Sequence, residues 1–322
     1  MPLYNNILET IGRTPIVKLQ RLPPPNVSIY VKVESFNPGG SVKDRLALAV
    51  ILDAEQKGNI KPGDTICECT SGNVGIALAM VAAARGYKFV AVMSDNYSIE
   101  RRKLIRAYGG KVILFPGRLG SSGGNKIADE LADKYGWFRA RQFDNPANPA
   151  FHRETTASEI LSDFAGKRLD YFVSGFGTSG TLTGVGQMLK RARPDVHIVA
   201  AEPDNAAVLA GEPWNVHKIQ GWAPNFVPSV MDQSVIDTLL TVNEVEGRDT
   251  ACRLATEEGI FVGLSSGATV ATALSVAREA PDGSVILAML PDTGERYLST
   301  FLLENIKEGS DDAWLEEISR SS

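Results

Sequence analysis

The 322-residue chain carries a net charge of −5 and an ordinary share of apolar side chains, enough for a large core or two domains. The acidic balance offers no basic footprint for nucleic acid or an anionic membrane surface, and no window reaches about 18 uninterrupted apolar residues. The opening MPLYNNILETIGRTP lacks the pattern of a secretory signal, and three cysteines, an odd number, favour a reducing, cytoplasmic setting over a disulfide framework.

In chain order, VSIYVKVE alternates with period two and reads as a strand, leading into the glycine-rich NPGGSVKDR. LALAVILDAEQKG follows as an amphipathic helix ending at Gly58. DTICECT is a strand, NVGIALAMVAAARG a helix, KFVAVM a strand, IERRKLIRAYG a helix, KVILF a strand and NKIADELADKYG a helix. After the Pro/Asn-rich DNPANP, the best candidate for a domain joint, ETTASEILSDFAG is a helix and YFVSG a strand. A further helix and the strand HIVAAEP then follow, and the acidic EGSDDAWLEEISRSS closes the chain as a short helix with a frayed tip. Strands alternating with helices predict an α/β fold with mostly parallel sheets. Cys67 and Cys69 fall on one side of their strand and read as small buried hydrophobes. His152, His197 and His217 lack metal-ligand spacing, so no metal site is expected.

Four stretches carry the chemistry. In NPGGSVKDR, Lys43 sits in the first turn of a helix, where the partial positive charge disfavours an ammonium. Gly39 and Gly40 allow a tight turn, and Ser41 and Asp44 have the spacing of a capping box. Arg45 and burial should weaken protonation of Lys43, while Asp44 pulls the other way. A solvated lysine, a neutral amine able to form a Schiff base, and a lysine holding an anion are all compatible with that position.

In YFVSGFGTSGTLTGVG, a strand runs into Gly175, Gly177 and Gly180 and then a helix, a geometry that aims backbone amides at a phosphate. GFGTSG satisfies the dinucleotide pattern, with Glu202 about twenty residues on, where such a fold would hold its ribose. The hydroxyls of Thr178, Ser179 and Thr181 instead suit a phosphate monoester. CTSGNVG, from Cys69 to Gly75, is another strand-to-helix turn, whose Thr70, Ser71 and Asn73 could hold a carboxylate or phenolic oxygen, or simply cap the helix. GLSSGATVATAL places Ser265 at a further junction of this kind.

Taken with RQFDNPANP, HKIQGW and PDTGERYLST, this order of motifs resembles the cysteine synthase (O-acetylserine sulfhydrylase) family, over nearly the whole chain. The resemblance implies a type II, tryptophan-synthase-β-like fold of two three-layer α/β domains with the active site in the cleft between them. A smaller mobile domain would span 38–149, and a larger one 1–37 plus 150–322. It implies pyridoxal 5'-phosphate joined as a Schiff base to Lys43, with Asn73 on the phenolic oxygen. Gly177, Thr178, Ser179, Gly180 and Thr181 would cradle the phosphate, and Ser265 would face the pyridine nitrogen. Thr70, Ser71, Gly72 and Gln142 would hold the substrate carboxylate.

The implied reaction is replacement of the acetoxy group of O-acetyl-L-serine by sulfide, giving L-cysteine and acetate, with Lys43 as the proton carrier. A homodimer and a serine acetyltransferase C-terminal tail are the implied partners. Three departures from the family pattern bear on substrate choice: Val74 replaces a usual threonine, MSDNYS with Ser94 replaces a Met-Pro-Glu wording, and GWAPNF puts Trp222 near the entrance. Cystathionine β-synthase-like or O-phosphoserine chemistry is the near alternative. A dehydrogenase would leave SVKDR, TSGN and GLSSGA unexplained, and Lys43 argues against a non-catalytic binding partner.

Overall fold

The computed structural model describes residues 3–70 and 72–321. Strands β1 (Ile16–Lys18) and β2 (Ser28–Val33) lead into helix α1 (Lys43–Gln56). Next come β3 (Thr65–Cys69), α2 (Asn73–Arg85), β4 (Lys88–Ser94), α3 (Ile99–Ala107), β5 (Lys111–Phe115), α4 (Gly120–Tyr135) and β6 (Phe138–Arg139). Helices α5 (Ala147–Phe151) and α6 (Ala157–Asp163) are joined by a π-helical turn, His152–Thr156. The rest runs β7 (Tyr171–Gly175), α7 (Gly180–Ala192), β8 (His197–Pro203), β9 (Thr238–Val242), α8 (Glu244–Glu258), α9 (Leu264–Glu279), β10 (Val285–Leu290) and α10 (Asp312–Ser321).

The strands form two sheets, one in the order β1-β2-β10-β7-β8-β9 and the other β5-β4-β3-β6. Every pairing is parallel except β1 with β2. Each sheet is covered on both faces, as parallel sheets require. Along β8, Ile198 and Ala200 point into a core with Leu182, Val185 and Leu189 of α7, while Val199 and Ala201 point into a second core with Leu254 of α8 and Ala268 of α9. The smaller sheet repeats the pattern. Ile66, Phe89 and Ala91 meet Leu46 and Val50 of α1 and Ile76 and Met80 of α2, while Cys67, Cys69, Val90 and Val92 meet Ala128 of α4. The two cysteines are thus the small core residues their spacing suggested, and burial pushes the Cys67 thiol up to about 12.

Several elements differ from the sequence reading. Helix α4 starts at Gly120 rather than near Asn125, because the small residues of GSSGG carry no apolar period. The helical segment expected at Glu154 begins at Ala147, the π turn absorbing the run on from α5. β1 and β6 are too short to show a period, and β10 is a continuous apolar run that helix and strand share equally. No helix among the described residues is long and apolar enough to cross a membrane.

Candidate active site

The carboxyl ends of β3, β4, β5 and β7 open into one cleft, the position at which parallel α/β sheets present their ligands. It is lined by Lys43, Thr70, Asn73, Gln142, Gly177, Thr178, Thr181 and Ser265, so the four sequence stretches meet in one place. Gly72, Ser179 and Gly180 adjoin these lining residues in the chain, Gly180 as the first residue of α7. Ser71 lies outside the described residues. Among the described residues there is no cluster of three side chains that could hold a metal ion.

Lys43 opens α1, and burial pushes its amine down from 10.5 to about 8, against the pull of Asp292 and Glu34. The acids that favour its protonation are therefore these two and not Asp44. Asp44 is buried and raised to about 7, and one of its carboxyl oxygens accepts from Gly39 N–H at 2.6 Å. The expected capping box is thus redirected. Ser41 Oγ accepts from Lys43 N–H at 3.2 Å, but the acid reaches back to Gly39. The reason is space: a Cβ at residue 39 would lie 2.5 Å from Asp44 Oδ1.

Nor does Arg45 act on Lys43 as a free cation. Its guanidinium is buried between Glu34 and Glu159, both at 2.7 Å, and Lys32 bridges to Glu159 at 2.8 Å. Such a closed network is stable only when complete, since a single buried charge left alone is costly.

Asn73 opens α2. Its Nδ2 donates to Asp292 Oδ2 at 2.6 Å and its Oδ1 accepts from Arg296 at 2.9 Å, while Tyr297 O–H donates to the same Asp292 oxygen at 2.6 Å. The side chain is thereby fixed with one amide hydrogen to spare. Thr70 Oγ1 accepts from the N–H groups of Gly72 and Gly75, both at 3.0 Å. It caps the helix, and its own hydroxyl hydrogen remains available to a ligand. The Gln142 side chain donates to the Cys69 carbonyl, and its backbone N–H donates to the buried Glu68. Ser265 sits in the first turn of α9, 4 % exposed.

The β7–α7 loop is the strongest feature. Gly180 begins α7, and a Cβ there would lie 1.9 Å from Asn148 Oδ1; at Gly177 it would lie 2.5 Å from the Gly221 carbonyl. Ser179 takes a left-handed φ of 69°, and its buried hydroxyl has no partner. A loop so tightly backed, with a helix N-terminus and an unpaired hydroxyl, fits a phosphate. Behind it, His152 links Thr156 at 2.9 Å to Thr181 at 3.2 Å, and burial pushes its imidazole down to about 3. It is neutral throughout the working range, so one ring nitrogen is a donor and the other an acceptor.

Glu202 is not placed for a ribose. Its carboxylate accepts from the N–H groups of Leu209 and Ala210, at 2.8 and 3.1 Å. The dinucleotide reading of GFGTSG therefore loses its second element. Trp222 also departs from expectation. It is 7 % exposed and packs against the end of β7, where a Cβ on Gly175 would meet its indole at 1.9 Å. It is a wall of the cleft, and the rim is formed by neighbours such as Val216 and Asn96. Asp292, Asn148 and Arg296 lie in stretches quoted for the resemblance and His152 is read there only as a histidine without metal spacing, because nothing in the spacing shows that these four side chains stand at the site.

A profile of the family described as "Pyridoxal-phosphate dependent enzyme" matches residues 7–292. The chain is 76% identical over 322 residues to O-ureido-L-serine synthase of Streptomyces lavendulae, covering 100% of this chain and 99% of that one. It is 48% identical over 297 residues to a cysteine synthase of Staphylococcus aureus, covering 92% and 96%. Among solved structures, an O-ureido-L-serine-bound K43A mutant of O-ureido-L-serine synthase superposes with a TM-score of 0.98 at 75% identity, over 99% of each chain.

Proposed function

The chain belongs to the pyridoxal-phosphate dependent enzymes, and on that premise we propose that it replaces the leaving group on Cβ of an O-acylated L-serine with the oxygen of N-hydroxyurea. The products are O-ureido-L-serine and, from O-acetyl-L-serine, acetate. The observation that carries this reading is the 76% identity with an O-ureido-L-serine synthase along the full chain. In the product the serine oxygen is bonded to a ureido nitrogen, so the incoming group is a hydroxyurea. Its O–H loses a proton, the new Cβ–O bond forms, and acetate departs with the electron pair of the old one.

Bound pyridoxal phosphate supplies the electron sink that makes the Cα proton acidic and the Cβ substituent a leaving group. The protein's own residues do the rest. Lys43 is the amine that would hold the cofactor's aldehyde carbon; once free, it takes the Cα proton as acetate leaves and returns it to Cα after the new Cβ–O bond has formed, a task suited to an amine brought down to about 8. Gly177, Thr178, Ser179, Gly180 and Thr181 hold the phosphate, with the unpaired Ser179 hydroxyl as one donor. Asn73, fixed by Asp292 and Arg296, meets the phenolic oxygen. Ser265 meets the ring nitrogen as a neutral partner. Thr70, Gly72 and Gln142 orient the substrate carboxylate. Residues 38–149 form the smaller unit that closes over the substrate. Surface contacts that cross the cleft, such as Ser299 Oγ to Glu100 at 2.9 Å, can part to admit it.

Incubation of the holoenzyme with O-acetyl-L-serine and either N-hydroxyurea or sulfide, with products identified by mass spectrometry, tests this. O-ureido-L-serine is expected, and formation of cysteine alone overturns it. Cysteine synthesis is the second reading, supported by the 48% identity with the staphylococcal enzyme.

A further inference from the structure

Sulfide is a small sphere that needs only room, whereas N-hydroxyurea carries a planar carboxamide with donors on one side and an acceptor on the other. A site that prefers the second must offer a polar group beyond the reacting atoms. The cleft wall at the end of β4 has one. Ser94, the last residue of β4, is 5 % exposed, and its hydroxyl bonds the Asn96 side-chain amide at 2.5 Å. Both residues line the cleft with Lys43 and Thr70. β4 lies beside β3 in the sheet, and Thr70 N–H donates to the Val92 carbonyl at 2.9 Å, so the pair stands one strand over from the Thr70 loop.

The loop carrying Asn96 is held from both sides. Gly117 N–H donates to Asp95 Oδ1 at 2.9 Å, and Arg102 donates to the carbonyls of Asp95 and Tyr97, at 2.6 and 2.9 Å. A Cβ at residue 117 would come within 2.8 Å of the Asn96 amide nitrogen, so the glycine makes the space in which that side chain lies. Asn96 itself is exposed to the cleft. Ser94 engages one end of its amide, and the other end has no protein partner among the described residues. Whichever way the amide is turned, an N–H or a carbonyl is left free, and a ureido group can answer either.

We propose that Asn96, oriented by Ser94, recognises the carboxamide of the incoming nucleophile and so selects a hydroxyurea over sulfide. This rests on the β-replacement reading above. It explains why MSDNYS stands where the family wording differs: the change converts this stretch of wall into a carboxamide binder.

The test compares wild-type holoenzyme with Asn96→Ala and Ser94→Ala, using O-acetyl-L-serine at fixed concentration and varying N-hydroxyurea or sulfide. The expected result is a fall of about tenfold in the ratio of kcat/KM for N-hydroxyurea to that for sulfide in Asn96→Ala, the size of one neutral hydrogen bond. A smaller fall in the same direction is expected in Ser94→Ala, which keeps the amide but frees its rotamer. Cofactor absorbance and the response to O-acetyl-L-serine alone verify that both variants are folded and loaded. An unchanged ratio in both variants, or equal losses with the two nucleophiles, overturns the assignment of Asn96. Wild-type enzyme that turns over sulfide but not N-hydroxyurea overturns the parent reading instead, so the two failures are distinct.

Discussion

Replacing Lys43 with methionine should make the cofactor-free protein more stable near neutral pH. The amine is held at about 8 in the fold, against 10.5 for an ordinary lysine. Below pH 8 the folded protein must therefore keep a charged amine where burial disfavours it. The fall in affinity for the proton corresponds to at most about 3 kcal/mol, less whatever water entering the cleft screens. The sign follows from linkage. Between pH 8 and 10.5 the unfolded chain binds a proton at this residue and the folded chain does not, so stability rises with pH over that window. Lys43→Met removes the effect. Urea unfolding of the two apo-proteins should show the variant ahead by up to about 3 kcal/mol at pH 7, with the gap narrowing as pH approaches 10.5. Packing of the methionine adds an offset independent of pH, so the pH-dependent part of the difference carries the test. A gap that stays constant from pH 7 to 10.5 would refute the claim that the amine is depressed.

Gly180→Ala should weaken cofactor binding by about tenfold or more, because the new Cβ lands on Asn148 and shifts the loop that holds the phosphate; titration of apo-protein with pyridoxal phosphate measures it. Glu34→Gln should destabilise the fold by about 3 kcal/mol at pH 7, since Arg45 keeps only Glu159 and the buried network loses a charge. Glu34 is held below its usual value of 4.5, so the wild-type advantage is present above that pH and disappears as pH falls through the lowered one; denaturant curves in acid check this. Thiol-modifying reagent should label Cys252 in the native protein well before Cys67 and Cys69, which are buried and raised in pKa; peptide mapping decides the order.

The alternation of apolar strands with glycine-stopped helices was enough to give the parallel α/β class. The order of SVKDR, TSGN, GTSGT and GLSSGA, through its resemblance to a known family, was enough to name the cofactor and to set the expectation for which residues surround it, and each of these segments lies in a local strand-to-helix turn or helix start that the sequence itself marks. What no local pattern could contain was the partnership of residues far apart in the chain. Asp292 fixes Asn73 across more than two hundred positions, His152 stands behind Thr181, and Glu34 rather than Asp44 speaks to Lys43. The rotation of Asp44 toward Gly39 and the burial of Trp222 on Gly175 likewise depend on where a missing Cβ leaves room. Sequence decides which groups are present and how each turn is built; packing decides which groups face one another, and the strength of every charge and hydrogen bond in the cleft is a function of that distance and of the water excluded from it.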